Sequence, residues 1–168
     1  ENYYFQKKYK KFKNLYKSLK SIGPAYSWYS ARTVATILLD TKDKKKSVSS
    51  LEKEFNSLSN VDIEHLYELA NFYKDNEYFE KSVEYYSMAL EKITKEHNLF
   101  SKILDRRGSS YERLGEWNKA EKDLIQSLEI SPDEPYVLNY LAYTWVEKGI
   151  YLDKALDMLK RATELQED

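Results

Sequence analysis

A spacing of 34 residues recurs in the second half of this 168-residue chain and limits what the chain can fold into. Gly115 and Gly149 are 34 positions apart, and each follows a helix-forming stretch, residues 106–114 and 137–148. Glycine in such a place can take the left-handed conformation that ends a helix. A period of this length is typical of stacked helix pairs that cover one another's apolar faces. Both glycines are therefore predicted to end the first helix of a pair.

Composition agrees with an all-α class. The chain has four glycines, three prolines and no cysteine, and 42% of its residues are hydrophobic. So few turn formers favour helices over a turn-rich β fold. The missing cysteines exclude disulfides, thiolate metal sites and a cysteine nucleophile. No apolar run approaches the roughly 18 residues of a membrane span. The missing cysteines do not identify the compartment, because both cytosolic and periplasmic proteins can lack cysteine.

Small and large residues recur in a fixed order around the two glycines. Gly108 and Ala120 are small enough to let two antiparallel helices approach, Tyr111 fills the space beside them, and Pro132 ends the second helix because it lacks an amide hydrogen. The other core positions of this unit are Leu104, Leu124 and Leu128. The next unit repeats the order with Leu138, Leu141, Ala142, Trp145, Ala155, Leu159 and Ala162, and has one extra residue near 150–152.

This order resembles the tetratricopeptide-repeat family. The resemblance implies a right-handed superhelix of antiparallel helix pairs, with a truncated unit at 1–27 and full units at 28–61, 63–96, 101–134 and 135–168. Residues 107–146 further resemble the C-terminal part of long bacterial proteins of this family. The family implies an adaptor that binds a protein or peptide and needs no cofactor.

The earlier units follow the same order less closely. The second full unit has Ser82 where alanine is usual, and its second helix is expected to run on past Ile93. Its remaining core positions are Leu66, Leu69, Ala70, Tyr73, Tyr86, Ala89 and Leu90. The first full unit is predicted to bury Ala31, Val34, Ala35, Leu38, Ser47, Leu51 and Phe55.

The truncated unit has residues where the repeat expects a first-helix tyrosine, a turn aromatic, the second-helix core and the terminal proline: Tyr3, Tyr9, then Phe12, Tyr16 and Leu19, and Pro24. Residues 1–6 also resemble a protease-cleavage linker added for expression, from which they depart at Tyr3 and Lys7. We favour native sequence, and hence a piece of a longer repeat protein.

No pattern of catalytic residues emerges. His65 and His97 lack metal-ligand spacing and are expected at solvent-exposed helix positions. Carboxylate pairs such as Glu52 and Glu54 are common in a chain with 33% charged residues, so no acid/base pair stands out. The chain is predicted not to be an enzyme.

The resemblance also implies where a partner binds, because the first helices of such units line the concave groove. Their non-core positions are Tyr67, Asn71, Lys74, Asp75, Lys102, Asp105, Arg106, Ser109, Glu112, Arg113, Tyr136, Asn139, Tyr140 and Tyr143. Tyr136, Tyr140 and Tyr143 recur at helical spacing as one stripe, apart from the core stripe. Such tyrosines suit peptide capture. Packing against a following helix, or against neighbouring side chains, is the alternative.

Lys102 and Arg106 match positions that hold a peptide's terminal carboxylate in one subset of the family. Arg32 could stand in for another such cation. However, Thr36 and Glu68 replace asparagines, and Glu68 would repel a carboxylate. Binding of a chaperone tail is therefore disfavoured.

Charge divides the chain into two parts of opposite sign. Residues 1–46 carry twelve Lys/Arg and three Asp/Glu, a net charge of +9, whereas residues 47–168 carry −10. Seven lysines lie from Lys7 to Lys20, among aromatic residues at core spacing. This pattern indicates that the lysines form the solvent-exposed face of a helix. A structural spacer or self-assembly module, associating head to tail, is the main alternative function. Binding of nucleic acid or an anionic surface is a third and weaker one.

Overall fold

The computed structural model describes residues 7, 10, 11, 13–15, 17–19, 21–40 and 44–167. Within them, eight helices have defined bounds and there is no strand. They are α1 (Pro24–Asp40), α2 (Lys44–Phe55), α3 (Ile63–Asp75), α4 (Phe79–Leu90), α5 (Phe100–Arg113), α6 (Trp117–Ile130), α7 (Pro135–Lys148) and α8 (Leu152–Glu167). The all-α class is confirmed. Tyr3, Tyr9, Phe12 and Tyr16 of the predicted truncated unit lie outside the described residues.

The chain divides into two compact units, residues 1–69 and 70–168, so that the boundary falls within α3. In the first unit α1 packs against α2. Every core residue predicted for this pair is buried except Leu38, whose side chain is not described. The indole of Trp28 meets the ring of Phe55 edge-on, with 5.7 Å between the ring centroids.

His65 is half-buried, which corrects the expectation that it faces solvent. Asp62 precedes α3, and its carboxylate accepts a 3.0 Å hydrogen bond from the backbone amide of His65. In return, Nδ1 of His65 lies 3.4 Å from the backbone amide of Asp62. This reciprocal arrangement is a capping box with histidine in the place of glutamate. The ring also contacts Trp28 at 5.4 Å between centroids, so helix capping and packing account for the residue.

In the second unit, α5 and α6 form the antiparallel pair that the repeat predicts. A methyl group added at Gly108 would lie 3.0 Å from Cγ of Leu124 and 3.1 Å from the carbonyl oxygen of Ala120. A methyl group at position 108 would therefore require these neighbours to move by a few tenths of an ångström. Beyond the contact at Gly108, a second core cluster continues the packing from α6 through α7 to α8; it consists of Leu124, Val137, Leu141, Ala142, Trp145 and Ala155.

The turns between paired helices need left-handed residues. Gly115 and Gly149 have φ of 77° and 66°, as their spacing predicts. Glu77, at the corresponding place between α3 and α4, has φ of 65° although it is not a glycine. The extra residue before α8 is accommodated by a second left-handed position, Tyr151, at φ 48°.

The expectation that the second helix of unit 63–96 runs past Ile93 is wrong, because α4 ends at Leu90. The β-branched residues Ile93 and Thr94 follow this end. Their side chains have restricted rotamers in a helix, which lowers their helix propensity. Residues 91–99 connect α4 to α5. The backbone amide of Leu99 donates to Nδ1 of His97 at 3.2 Å, so His97 lies in this connection rather than in a helix.

Buried serines replace alanine at the start of two second helices. Ser82 is fully buried, and its hydroxyl donates to Oγ of Ser110 at 2.8 Å; Ser110 in turn donates to the carbonyl of Arg106 at 3.0 Å. Ser47 is also fully buried and donates to the carbonyl of Ala35 at 2.5 Å. Each hydroxyl is therefore satisfied, which removes the cost of burying it.

Candidate functional site

The first helices of three successive pairs line an open cavity of about 230 Å³ in the second unit. Lys74 of α3, Asp105, Arg106 and Ser109 of α5, and Tyr136 of α7 line it. We call it the α5 cavity. All five residues belong to the set whose register predicts a groove. Two larger hollows are lined by other residues. One lies at the turn before α6 and its first residues, 115–119, and the other is lined by α6 alone, between residues 118 and 129.

Two stacked tyrosines form one side of the α5 cavity. The rings of Tyr136 and Tyr140 lie 5.9 Å apart at an angle of 19°. The buried Ser109 hydroxyl lies within hydrogen-bonding reach of both phenols, and Tyr140 donates a 2.7 Å hydrogen bond to Glu112. Burial raises the pKa of both tyrosines, and for Tyr140 the hydrogen bond to Glu112 raises it further. Both phenols therefore stay protonated at neutral pH and can donate hydrogen bonds.

The tyrosine stripe is not uniform. Tyr136 and Tyr143 are 56% and 61% exposed, whereas Tyr140 is half-buried and packs against the second core cluster. This corrects the expectation that the whole stripe lies apart from the core. At 3.6 residues per turn, Tyr140 is displaced about 40° from Tyr136 toward Leu141, and Tyr143 about 20° the other way. Only Tyr136 and Tyr143 offer most of their surface to a partner.

Asp105 is the unusual charge in the α5 cavity. Its Oδ1 atom is buried and has no hydrogen-bond partner among the described residues. Burial raises the pKa of Asp105 from 3.8 to about 6; Arg106 and Lys74 partly oppose this effect, and Glu134 adds to it. A buried carboxylate oxygen without a donor is costly to maintain. The cavity is therefore deficient in hydrogen-bond donors at this atom.

The other predicted groove residues lie outside the lining of the cavity. Lys102 and Arg113 are exposed, and the guanidinium of Arg113 lies 5.5 Å from the ring centroid of Phe79. Asn139 is half-buried. Asn71 accepts a 2.6 Å hydrogen bond from the hydroxyl of Tyr86, which ties α3 to α4. Tyr67 is half-buried and belongs to the first unit.

Arg32, the possible clamp cation, is engaged within the first unit. It forms an ion pair with Glu68, and the indole of Trp28 donates a 2.6 Å hydrogen bond to the same carboxylate. The guanidinium also lies 5.4 Å from the ring centroid of Tyr29. Arg32 therefore neutralises Glu68 within the first unit. This agrees with the poor match of Arg32 and Glu68 to a carboxylate clamp.

Sequence reasoning missed a half-buried ion pair between Arg107 and Asp123. Arg107 of α5 makes two hydrogen bonds to Asp123 of α6, at 2.7 and 2.9 Å, and a third to Oγ of Ser87 in α4 at 3.0 Å. One guanidinium thus joins three helices. The sequence did contain a signal for this ion pair. Arg107 is next to Gly108 and Asp123 is three residues after Ala120, and the close contact of Gly108 with Ala120 in antiparallel helices brings these two positions together.

The basic segment is described in part. Its described lysines are exposed, as expected for the solvent-exposed face of a helix: Lys7, Lys10, Lys11, Lys13 and Lys17. Among the described residues, no group of three or more His, Cys, Asp or Glu could hold a metal ion. No helix in the described part of the chain is long and apolar enough to span a membrane.

Comparisons with known proteins agree with this fold. The family model for the tetratricopeptide repeat matches residues 101–134. No curated protein matches the chain. The crystal structure of MamA is 18% identical, has a TM-score of 0.69, and aligns over 97% of this chain and 89% of that one. MamA 41-end from Desulfovibrio magneticus RS-1 is 12% identical, with a TM-score of 0.67 and coverage of 95% and 96%.

BtubC (BKLC) from P. vanneervenii shares the fold as well, with 15% identity, a TM-score of 0.75, and coverage of 97% of this chain and 74% of that one. Because the sequence identities are this low, these similarities show a common fold alone. The match at 101–134 coincides with α5 and α6, the pair that contains Gly108, Gly115 and the Arg107–Asp123 ion pair. The chain has a helical-repeat fold.

Proposed function

We propose that this tetratricopeptide-repeat protein captures an extended segment of a partner protein on the face formed by α3, α5 and α7 of its second unit. The observation that carries the proposal is the α5 cavity, where Lys74, three residues of α5 and Tyr136 converge from three helices. A ligand there would contact all three helices at once. Such convergence is typical of binding sites and is absent from the hollows beside α6.

The residues around the cavity suit peptide binding. Tyr136 and Tyr143 provide exposed aromatic surface with few rotatable bonds to order, and aromatic residues of this kind carry much of the energy in protein interfaces. Asp105, Arg106, Lys74 and Ser109 supply donors and acceptors beside them. Tyr140 and Glu112 hold the stacked pair in place through their 2.7 Å hydrogen bond. A preorganised surface loses little entropy on binding.

Selection from a peptide-display library against the whole chain tests this function. We expect the Tyr136→Ser, Tyr143→Ser double variant to lose binding of the selected peptides at least about tenfold, which corresponds to about 1.4 kcal/mol. Tyr140 is left unchanged because it packs against the core. Tyr26→Ser, which removes an equally exposed tyrosine from α1, is the matched control and should bind normally. Equal binding by the double variant and the control would refute the proposal.

Self-assembly is the second candidate, and exposed apolar residues on the last helix pair favour it. Val146, Tyr151, Leu152 and Leu156 all expose large fractions of their side chains, and apolar residues grouped in this way commonly mark protein contacts. The opposite net charges of residues 1–46 and 47–168 would favour head-to-tail association. Sedimentation at low and high salt tests it, since association through these charges should weaken as salt rises.

A further inference from the structure

The lining of the α5 cavity has more positive than negative groups. Lys74 of α3 and Arg106 of α5 are its cations, and Asp105 is its one carboxylate. Two further carboxylates act on the cavity from outside its lining: Glu134, and Glu112, which already accepts a phenolic hydrogen bond. Two cations against one carboxylate give the lining itself a single positive charge, so a negative ligand is favoured over a positive one.

The hydrogen-bonding groups of the lining favour the same ligand. Lys74 and Arg106 can donate hydrogen bonds but cannot accept them. The hydroxyls of Ser109 and Tyr136 can donate as well, and burial keeps the Tyr136 phenol protonated at neutral pH by raising its pKa. Four of the five lining side chains can therefore donate to one ligand group, from three helices. A carboxylate accepts several hydrogen bonds at once, and its charge strengthens each of them.

Asp105 is the lining residue that opposes an acidic ligand. Its Oδ1 atom is buried without a hydrogen-bond partner among the described residues, so its ionised form is poorly stabilised. Burial raises the pKa of Asp105 to about 6; Glu134 adds to this effect, and Arg106 and Lys74 partly oppose it. A carboxylate that enters the cavity would raise this pKa further, because a second negative charge nearby disfavours ionisation. Asp105 would then take up a proton, which leaves only the two cations charged in the lining.

We propose that the α5 cavity is a subsite for an acidic side chain, aspartate or glutamate, of the bound segment. This inference rests on the proposed function and adds the chemistry of the partner to it. Asp105 makes the binding dependent on pH. At about pH 7.5 the ligand binds only if Asp105 takes up a proton, whereas below about pH 6 this carboxyl is already mostly neutral. The affinity for an acidic side chain therefore rises as the pH falls from about 7.5 to about 5.5.

Short peptides test the subsite directly. The probes are capped pentapeptides, Gly-Ser-X-Ser-Gly, in which X is aspartate, glutamate, glutamine or lysine, added at millimolar concentration to the ¹⁵N-labelled whole chain at about pH 5.5. We expect the aspartate and glutamate peptides to shift the amide resonances of residues 105, 106, 109 and 136. The glutamine and lysine peptides should leave these resonances unchanged. The glutamine peptide with a free carboxyl terminus tests whether a terminal carboxylate binds instead, and it should bind no better than the capped form.

Two pairs of matched variants separate the subsite from general electrostatics. At about pH 7.5, Asp105→Asn should bind the acidic peptides at least about fivefold more tightly than the unaltered chain, and it should lose the dependence on pH. Asp157→Asn removes the same charge from an exposed site on α8 and should do neither. Lys74→Gln should weaken the acidic peptides at least about threefold, whereas Lys122→Gln, at an exposed site on α6, should not.

Several results would overturn the inference: a preference for glutamine or lysine, equal binding of the terminal carboxylate, no shift with either acidic peptide, or an Asp105→Asn variant that binds these peptides no more tightly at about pH 7.5. These results are distinguishable from a failure of the proposed function. If library peptides bind through Tyr136 and Tyr143 but the subsite prefers basic or neutral residues, only the inference fails. If the double tyrosine variant still binds its library peptides as well as the Tyr26→Ser control does, the proposed function fails whatever the pentapeptides show.

Discussion

Arg107 and Asp123 join α5 to α6 through two parallel hydrogen bonds of 2.7 and 2.9 Å, and Asp123 is only 4% exposed. A buried charge stripped of its partner is strongly destabilising, because desolvation is no longer offset. We therefore expect Asp123→Ala to lower the free energy of unfolding by about 3–5 kcal/mol, measured by urea denaturation. The double change Arg107→Met, Asp123→Leu should recover most of this loss. A loss below about 1 kcal/mol in Asp123→Ala would contradict the assignment.

Gly108 allows the close contact between the same two helices. Alanine has the higher helix propensity by about 1 kcal/mol, but its methyl group would lie 3.0 Å from Leu124 and 3.1 Å from a backbone oxygen that cannot rotate away. We expect Gly108→Ala to destabilise the fold by about 1–3 kcal/mol, in the range of overpacked cores. Thermal unfolding measures it. A raised Tm would show that helix propensity prevails over the contact.

Glu77 occupies a left-handed position that Gly115 and Gly149 fill elsewhere in the chain. The left-handed conformation costs a residue other than glycine about 1–2 kcal/mol. Glu77→Gly should therefore stabilise the fold by about 1 kcal/mol. Gly115→Ala should destabilise it by a similar amount through conformation alone, since nothing lies within 4 Å of the added methyl group. If both changes alter Tm in the same direction, backbone conformation is not the cause.

Asp105 should make stability depend on pH. Burial raises its pKa from 3.8 to about 6, so the stability that it contributes is complete below pH 4 and is lost as the pH rises through about 6. Relative to the unaltered chain, Asp105→Asn should be more stable at pH 8 by up to about 2–3 kcal/mol. The difference should shrink toward pH 4. Urea denaturation at several pH values measures it, and a difference that grows as the pH falls would contradict the sign.

Much of the fold could be predicted from local patterns. Gly115 and Gly149 end their helices as expected, and the residues chosen for the core of the α5–α6 and α7–α8 pairs are largely buried. The end of α4 at Leu90 was not predicted, because β-branched residues such as Ile93 and Thr94 disfavour a helix only slightly and do not by themselves fix where it ends.

For the candidate site, the sequence predicted only which helix positions face away from the core. Helical spacing selected Asp105, Arg106, Ser109 and Tyr136 as positions that face away from the core. It could not show that Lys74 joins them from α3, or that Tyr140 turns toward the core while Tyr136 and Tyr143 stay exposed. These outcomes depend on how neighbouring pairs pack.

The sequence by itself determined the helix pairs and their turns, because small residues, left-handed glycines and a proline act through local sterics and hydrogen bonding. Only the tertiary structure decided the chemistry of the surface. Asp105 acquires its raised pKa and its unpartnered oxygen from burial, and Arg107 finds Asp123 and Ser87 across two helices. Burial and long-range pairing depend on residues distant in the chain, and a periodic pattern does not record which of them will meet.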